Sequence, residues 1–386
     1  TGDFGALLTG AQILREGRGA QLYDLATQQA VQTRLLAPYL TRDETLPYNH
    51  PPSDAVIGAL LLDLTYPASY AIWTVAAALA IILSLWLLAR ALPLARNLRP
   101  LMLPGVASYP FLYSGLWLGQ STLLGLCGTF AALRAGRPYW AGVALSFLAL
   151  RPQLVPPLLL LLALQRHWRT LLTGAALVGA GVIALFPLLG PTWPLSYVRL
   201  LLTSASWPQG VSFNAAGMPN LRGLALALLE THLPGLVPAL VLLLSALAGA
   251  WLLACWRWTR QSGAGDELLW AVAIVIMLLV TYHLNPHELT FLIFPAWIIL
   301  ARLPGFAPVR PWVALLWGWY LARWLALLPG YPATSTVPTV LLLVLGALLL
   351  GGQIARDARR RDAPRRGTTP GLHTRDNPLR AAPESP

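Results

Sequence analysis

A handful of polar side chains interrupt an otherwise apolar chain, and they are of types that can do chemistry. Asp3 opens the first segment, and His50 precedes Pro51-Pro52. Arg151 leads into Pro152 and Gln153 between two apolar runs, and Gln120 follows Gly119 at another break. His283 and His287 flank Pro286, with Glu288 adjacent. An acid at a membrane edge is a functional candidate by default, although Asp3 also fits a helix N-cap before Phe4. A buried arginine is costly, and its planar fork matches a phosphate; a structural salt bridge is the other reading of Arg151. Two histidines four apart want a third ligand at matching spacing before they hold a metal, so the pair is weak evidence for a metal site. His287 equally reads as a hydrogen-bonded helix end, and His50 as a loop residue. Gln120 and Gln153 offer hydrogen bonds to a hydroxyl-rich ligand or to interrupted backbone.

The elements that must position these groups follow from composition. Of 386 residues, 56% are hydrophobic and 11% are charged. A soluble domain carries about 25% charged residues, so this chain cannot solvate a globular surface. Apolar runs recur from 55 to 355, and the short alternating strands of a barrel are missing. The expected fold is all-α, a polytopic transmembrane helical bundle. Cys127 and Cys255 both lie within apolar runs and suggest neither a disulfide nor a metal site. The net charge is +12 without a single lysine. Beside membrane helices such basic clusters set topology and meet anionic lipid headgroups, so membrane lipids are expected partners and nucleic acid is not.

The chain divides into a polar segment 1–65, a membrane module 66–355 of about eleven apolar segments, and a basic tail 356–386 expected to be disordered. In the first segment, Phe4, Leu7, Leu8, Ala11 and Leu14 recur at helical spacing and predict an amphipathic interfacial helix. Gly17 and Gly19 should end it. Asp24 should cap a second helix through Leu36, stopped by Pro38. The first full span is predicted at 66–92. Shorter runs follow at 101–118, 121–135, 138–150 and 154–165. A crossing needs about 20 residues, so these read as half-helices or hairpins around a cavity. A span at 171–189 and an interfacial helix at 220–232 come next. Further runs lie at 233–256, 268–282, 289–301, 311–328 and 337–354.

Arginine placement orients the bundle. Arg90, Arg96 and Arg99, the pairs Arg166/Arg169, Arg257/Arg260 and Arg302/Arg310, and the tail should face the cytoplasm of a plasma-membrane protein. The same count puts the segment 1–65 and the breaks at 119–120, 151–153 and 282–288 on the extracytoplasmic side. It also predicts a transmembrane helix upstream of Thr1.

Several stretches occur in an order that resembles a known family: Asp3-Phe4 opening an outer loop, GRGAQLYD at 17–24, YNHPP at 48–52, LGQSTLL at 118–124, GVALSFLALRPQL at 142–154 and SFNAAGMPNLRGL at 212–224. The pattern resembles the bacterial polyprenol-phosphate-mannose-dependent α-mannosyltransferases of the GT-C superfamily. Arg151 is a departure, since lysine is expected there. The resemblance implies a polyprenyl-phosphate sugar donor and a glycolipid or glycan acceptor. Asp3 would be the general base, with inversion at the anomeric carbon. Arg151 and Arg222 would neutralise the leaving phosphate, with His283 or His287 as a second polar contact. Tyr48, Asn49, His50, Gln120, Gln153 and Asn214 would line the sugar pocket, with Glu288 beside them. A phosphate-linked lipid donor needs a divalent metal less than a nucleotide sugar does, so no metal and no cofactor is expected.

A transporter or flippase would also show broken helices and buried polar residues. Such proteins usually carry an internal repeat, and no convincing correspondence between the halves is found here. The large polar segment ahead of the spans also suits an enzyme better.

Overall fold

The computed structural model describes residues 2–37, 39, 46–118, 123–203, 217–263, 265–302, 309, 311–316, 318–319 and 336–362. Among them the chain is α-helical with short 3-10 turns and no strand.

The first segment forms a small unit with its own core. Helix α1 (Gly2–Arg15) packs against α2 (Leu25–Leu36) and α3 (Pro52–Ala59). The expectation that α1 is buried on one face alone does not hold. Phe4, Leu7, Leu8 and Ala11 are buried on one side, and Thr9 and Ile13 on others. Thr9 can be enclosed because its hydroxyl donates to the Gly5 carbonyl at 2.8 Å. Gly10 lets the Tyr48 ring lie directly on the helix, where a Cβ would come within 2.9 Å of it. The helix stops as the glycine pattern requires, with Gly17 at φ +70° and its amide on the Leu14 carbonyl. Asp24 caps α2, accepting from the Thr27 amide at 2.8 Å.

The bundle begins with α4 (Tyr66–Ala91), long enough and apolar enough to cross a membrane. After it come α5 (Arg99–Ala107), α6 (Pro110–Leu118), α7 (Leu123–Arg134), α8 (Pro138–Phe147), α9 (Val155–Leu164), α10 (Trp168–Ala184), α11 (Phe186–Leu189) and α12 (Trp193–Thr203). The second half holds α13 (Leu221–Leu229), α14 (Val237–Ser262), α15 (Glu267–Val280), α16 (Ile293–Ala301) and α17 (Thr336–Asp362). The predicted run 101–118 is thus two helices, because Pro110 follows Ser108-Tyr109 and favours extended backbone before it.

Burial separates lipid-facing helices from central ones. Helix α15 is apolar all round, and Leu268 through Leu279 are buried without exception, as such a helix must be. It is packed by α9, α14, α16 and α17. By contrast, only 6% of the apolar window is buried in α10 and likewise in α14, which leaves them to lipid. Close helix crossings rest on small residues, as expected where apolar burial gives helices no mutual preference. Gly142 of α8 meets α10 so tightly that a Cβ would lie 2.5 Å from the Thr173 Cβ.

Residues 138–150 and 152–164 together have the apolar length of one span, but the chain bends between them by 117°. The bend falls at Arg151, which separates two 3-10 turns at φ −133°, ψ 68°. Pro152 starts the second turn and cannot continue the first. The reading of paired half-helices is therefore realised as a reversal with an arginine at its tip.

Candidate active site

Four segments meet at the Arg151 tip, and each is held there by hydrogen bonds that its sequence dictates. The polar strip 46–50 is fixed by two glutamines one turn apart on α2. Gln28 gives its amide NH2 to the Tyr48 carbonyl at 3.1 Å and takes the Tyr48 amide at 2.8 Å. Gln32 does the same for Leu46, at 3.0 Å and 2.8 Å. The match is geometric: four helical residues rise about 6 Å and two extended residues about 6.6 Å. The glutamines thus act as a neighbouring strand for an extended segment that has none.

Tyr48 is wholly enclosed, and its hydroxyl is spent inside the chain, donating to the Pro51 carbonyl and accepting from the Ala55 amide. The expectation that Tyr48 lines a sugar pocket therefore fails; it supports the wall from behind. Asn49 stays half-exposed beside it. His50 is buried, and its Nδ1 faces the Asp54 Oδ2 at 2.9 Å. Tyr23 donates to the His50 carbonyl at 3.0 Å. The other oxygen of Asp54 is buried without a partner among the described residues.

The 282–288 break is anchored from three sides. Tyr109, at the α5–α6 break, donates to the Leu289 carbonyl at 2.8 Å, while Thr290 donates to the Phe111 carbonyl at 3.0 Å. Glu288 accepts from the Asn285 amide at 2.7 Å, closing the first turn as a capping carboxylate does. Gln153 reaches the same acid at 3.4 Å, and its carbonyl accepts from Thr281 at 3.3 Å. On the remaining side Asn220 caps α13 through the Gly223 amide and donates to the Thr281 carbonyl at 2.6 Å. Arg222, two residues on, stacks over the Tyr282 ring at 4.0 Å and reaches the Tyr282 carbonyl at 3.4 Å.

Arg151 itself is 8% exposed. Among the described residues its guanidinium makes no hydrogen bond and no ion pair. Its charge is felt by its neighbours instead. Burial lowers His283 to about 4, and Arg151, Arg222 and His50 push it the same way. His287 is enclosed and held well below its ordinary value by burial first and Arg151 second, and its Nε2 has no hydrogen-bond partner among the described residues. Both imidazoles are therefore neutral near pH 7. Glu288 is pushed up to about 7, chiefly by burial, with Asp3 adding to the rise and Arg151 opposing it. Asp3 thus lies within electrostatic reach of Glu288, as Arg151 does. Tyr197 of α12 is raised by burial and drawn down by Arg151, and its ring lies 5.2 Å from that of Tyr23.

Asp3, His50, Arg151, Gln153, Arg222, His283, His287 and Glu288 therefore gather around one tip. Gln120 and Asn214 lie outside the described residues. Sequence reasoning missed Asp54, Tyr197 and Asn220. The spacing of His50 and Asp54, one helical turn apart, was the available signal for the first; the other two carry none. Among the described residues no group of three His, Cys, Asp or Glu is placed to hold a metal.

A buried guanidinium with no hydrogen bond or ion pair among the described residues, neutral imidazoles and separate carboxylates have the chemistry to meet an anionic, hydroxyl-bearing ligand. The sequence pattern of Glycosyltransferase family 87 matches residues 48–281, more than half of the chain. The chain belongs to glycosyltransferase family 87. The matched range contains His50, Arg151, Gln153 and Arg222, while Asp3 and the 283–288 turn flank it. Neither a curated protein nor a solved structure matches this family 87 glycosyltransferase.

Proposed function

We propose that this glycosyltransferase moves a hexose, mannose in the first instance, from a polyprenyl-phosphate donor to an acceptor hydroxyl, with inversion, on the extracytoplasmic face of the plasma membrane. The acceptor is a glycolipid or glycan. The observation that supports this reading is Arg151: it is buried with no counter-ion among the described residues, such a cation is costly, and a phosphate supplies the counter-ion when the donor binds.

In this reading the Asp3 carboxylate takes the proton of the acceptor hydroxyl. The oxygen attacks the anomeric carbon from the side opposite the phosphate, and the bond from that carbon to the phosphate oxygen breaks. The leaving polyprenyl phosphate gains a negative charge, which Arg151 and Arg222 balance. Phosphate is already a good leaving group once neutralised, so no general acid is required. His283 and His287, neutral at pH 7, contribute hydrogen bonds to sugar or phosphate rather than charge. Asn49, His50 and Gln153 contact the sugar, together with Gln120 and Asn214. Glu288 holds the 283–288 turn and tunes the local charge.

Membranes containing the protein, supplied with polyprenyl phosphomannose and a lipid-linked acceptor, test the assignment. Asp3→Asn keeps the size and much of the polarity of the side chain but removes the base, so transfer should fall by a factor of about a thousand at unchanged expression. Transfer at the wild-type rate would remove Asp3 from the mechanism. Uptake of sugar into vesicles without a lipid-linked donor would replace the enzyme by a transporter.

A further inference from the structure

A second hollow lies between α4, α7 and α8, and none of its lining residues is among those gathered at the Arg151 tip. It has a volume of about 770 Å³. Its floor is made of small residues, among them Gly128, Ala131, Ala132 and Ala144, which let the three helices form a trough. Exposed aromatic rings, Trp86, Trp140 and Phe147, stand along its rim. At one end are Arg90, Arg134 and Arg137, and no acidic residue lines the hollow.

The three arginines are not equivalent. Arg134 is already committed to Glu267 at 2.9 Å. Arg90 lies 5.0 Å over the Trp86 ring, which aims it along the rim. Neither Arg90 nor Arg137 makes an ion pair among the described residues. Two uncompensated cations therefore cap one end of an apolar trough. The trough runs along α8 from Arg137 to Phe147, a helical rise of about 15 Å. That is half the roughly 30 Å hydrocarbon core of a bilayer, the depth of one leaflet. Polar at one end, apolar over one leaflet's depth and lined by aromatic rings, the trough has the profile of a single membrane lipid.

We propose that this trough is a binding site for an anionic phospholipid, with its phosphate between Arg90 and Arg137 and an acyl chain lying over Gly128 and Ala132 toward Phe147. The charge balance selects the headgroup: a zwitterionic lipid would bring its own cation to a rim that has two cations and no acid. A polyprenyl chain would run far past the leaflet depth that the trough offers. The lining of the trough shares no residue with the Arg151 tip, which lies four residues beyond Phe147, and its lipid takes no part in the transfer reaction.

Native mass spectrometry of the full chain, taken from nanodiscs of equal phosphatidylglycerol and phosphatidylcholine, reads the preference directly. The wild type should retain one phosphatidylglycerol. The Arg90→Gln/Arg137→Gln variant should lose that preference by about tenfold. Ala132→Phe, which fills the floor and leaves both charges, should lose it as well. The control Arg359→Gln/Arg360→Gln removes two exposed charges from the last turn of α17 and should retain the lipid. Helicity measured by circular dichroism identifies any variant that fails to fold, and for such a variant Arg137→Gln alone, an exposed position, replaces it. Retention by the double glutamine variant would overturn the proposal. So would retention by Ala132→Phe, since contact would then be with the headgroup alone. Displacement of phosphatidylglycerol by a polyprenyl phosphate at equal concentration would assign the trough to the donor instead and equally overturn it.

Discussion

Glu267 and Arg151 are both buried charges in an apolar bundle, and the chain treats them in opposite ways. Glu267, in the first turn of α15, receives two arginines, Arg134 from α7 and Arg302 from the end of α16. Both arginines reach it from half-exposed positions, so the acid is buried while its partners stay near the surface. Arg151 has neither an ion pair nor a hydrogen bond within the described chain, although it is as well enclosed. Burying a charge costs several kcal/mol unless it is paired. At Glu267 the compensation is internal and ties three helices together. At Arg151 the proposed function leaves it to the donor phosphate, and an acid that feels its charge, Glu288, is itself held toward neutrality. The difference distinguishes a structural lock from the proposed binding residue more clearly than burial or residue type does.

The contrast breaks if Arg151 turns out to be structural. Arg151→Ala should lower sugar transfer by about a thousandfold, about 4 kcal/mol of transition-state stabilisation. The melting temperature in detergent should stay the same or rise, because an uncompensated charge is removed. A large fall in melting temperature would show that the guanidinium has a partner in the free protein and is a lock like Glu267.

The converse should hold at the other end. Glu267→Ala leaves Arg134 and Arg302 facing each other, and should cost about 2 kcal/mol of stability. The figure is modest because both arginines can turn to solvent or headgroups. A thermal melt should shift downward by several degrees while KM for the donor stays put. A changed KM with an unchanged melt would reverse the roles of the two charges.

Arg151→Lys sharpens the comparison further. It keeps the charge and loses the fork, and lysine is what the resemblance leads one to expect at this position. Transfer should drop only about tenfold, near 1.4 kcal/mol. A loss as large as that of Arg151→Ala would mean that geometry, not charge, carries the site.

Much of the bundle is legible because apolar length and proline position are local signals. The span predicted at 66–92 is found at Tyr66–Ala91, and the break at 151–153 is found as a bend. A membrane glycosyltransferase is legible as well, through stretches such as YNHPP and RPQL. The first segment is not. Its apolar periodicity suggests a helix on a surface, whereas Tyr48, α2 and α3 close over it from positions that no short-range pattern connects. The glutamine clamps illustrate why. Gln28 and Gln32 look like ordinary polar helix residues, and their role exists only once residues 46–48 lie beside them. Tyr48 is misread for the same reason, since an aromatic beside His-Pro-Pro looks like a pocket wall until its hydroxyl is found bonded to Pro51 and Ala55.

The smallest expected effect concerns pH. Glu288 is pushed up to about 7 because burial disfavours its charged form, and it lies in the first turn of the 3-10 segment Pro286–Leu292, outside the candidate spans. Its folded value lies above its unfolded one, so the fold binds the extra proton between these values. Its contribution to stability is complete below about 4.5 and is lost as pH rises through 7. Donor binding has the same sign. A phosphodiester stays singly charged across this range, while Glu288 above pH 7 adds a negative charge beside Arg151. KM for the donor should therefore fall a few-fold from pH 8 to pH 6. Glu288→Gln keeps an acceptor for the Asn285 amide but cannot titrate, so its KM should stay flat over the same interval. A wild-type slope that survives in Glu288→Gln would assign the titration to another group, and Arg151 would then meet its phosphate without help from this acid.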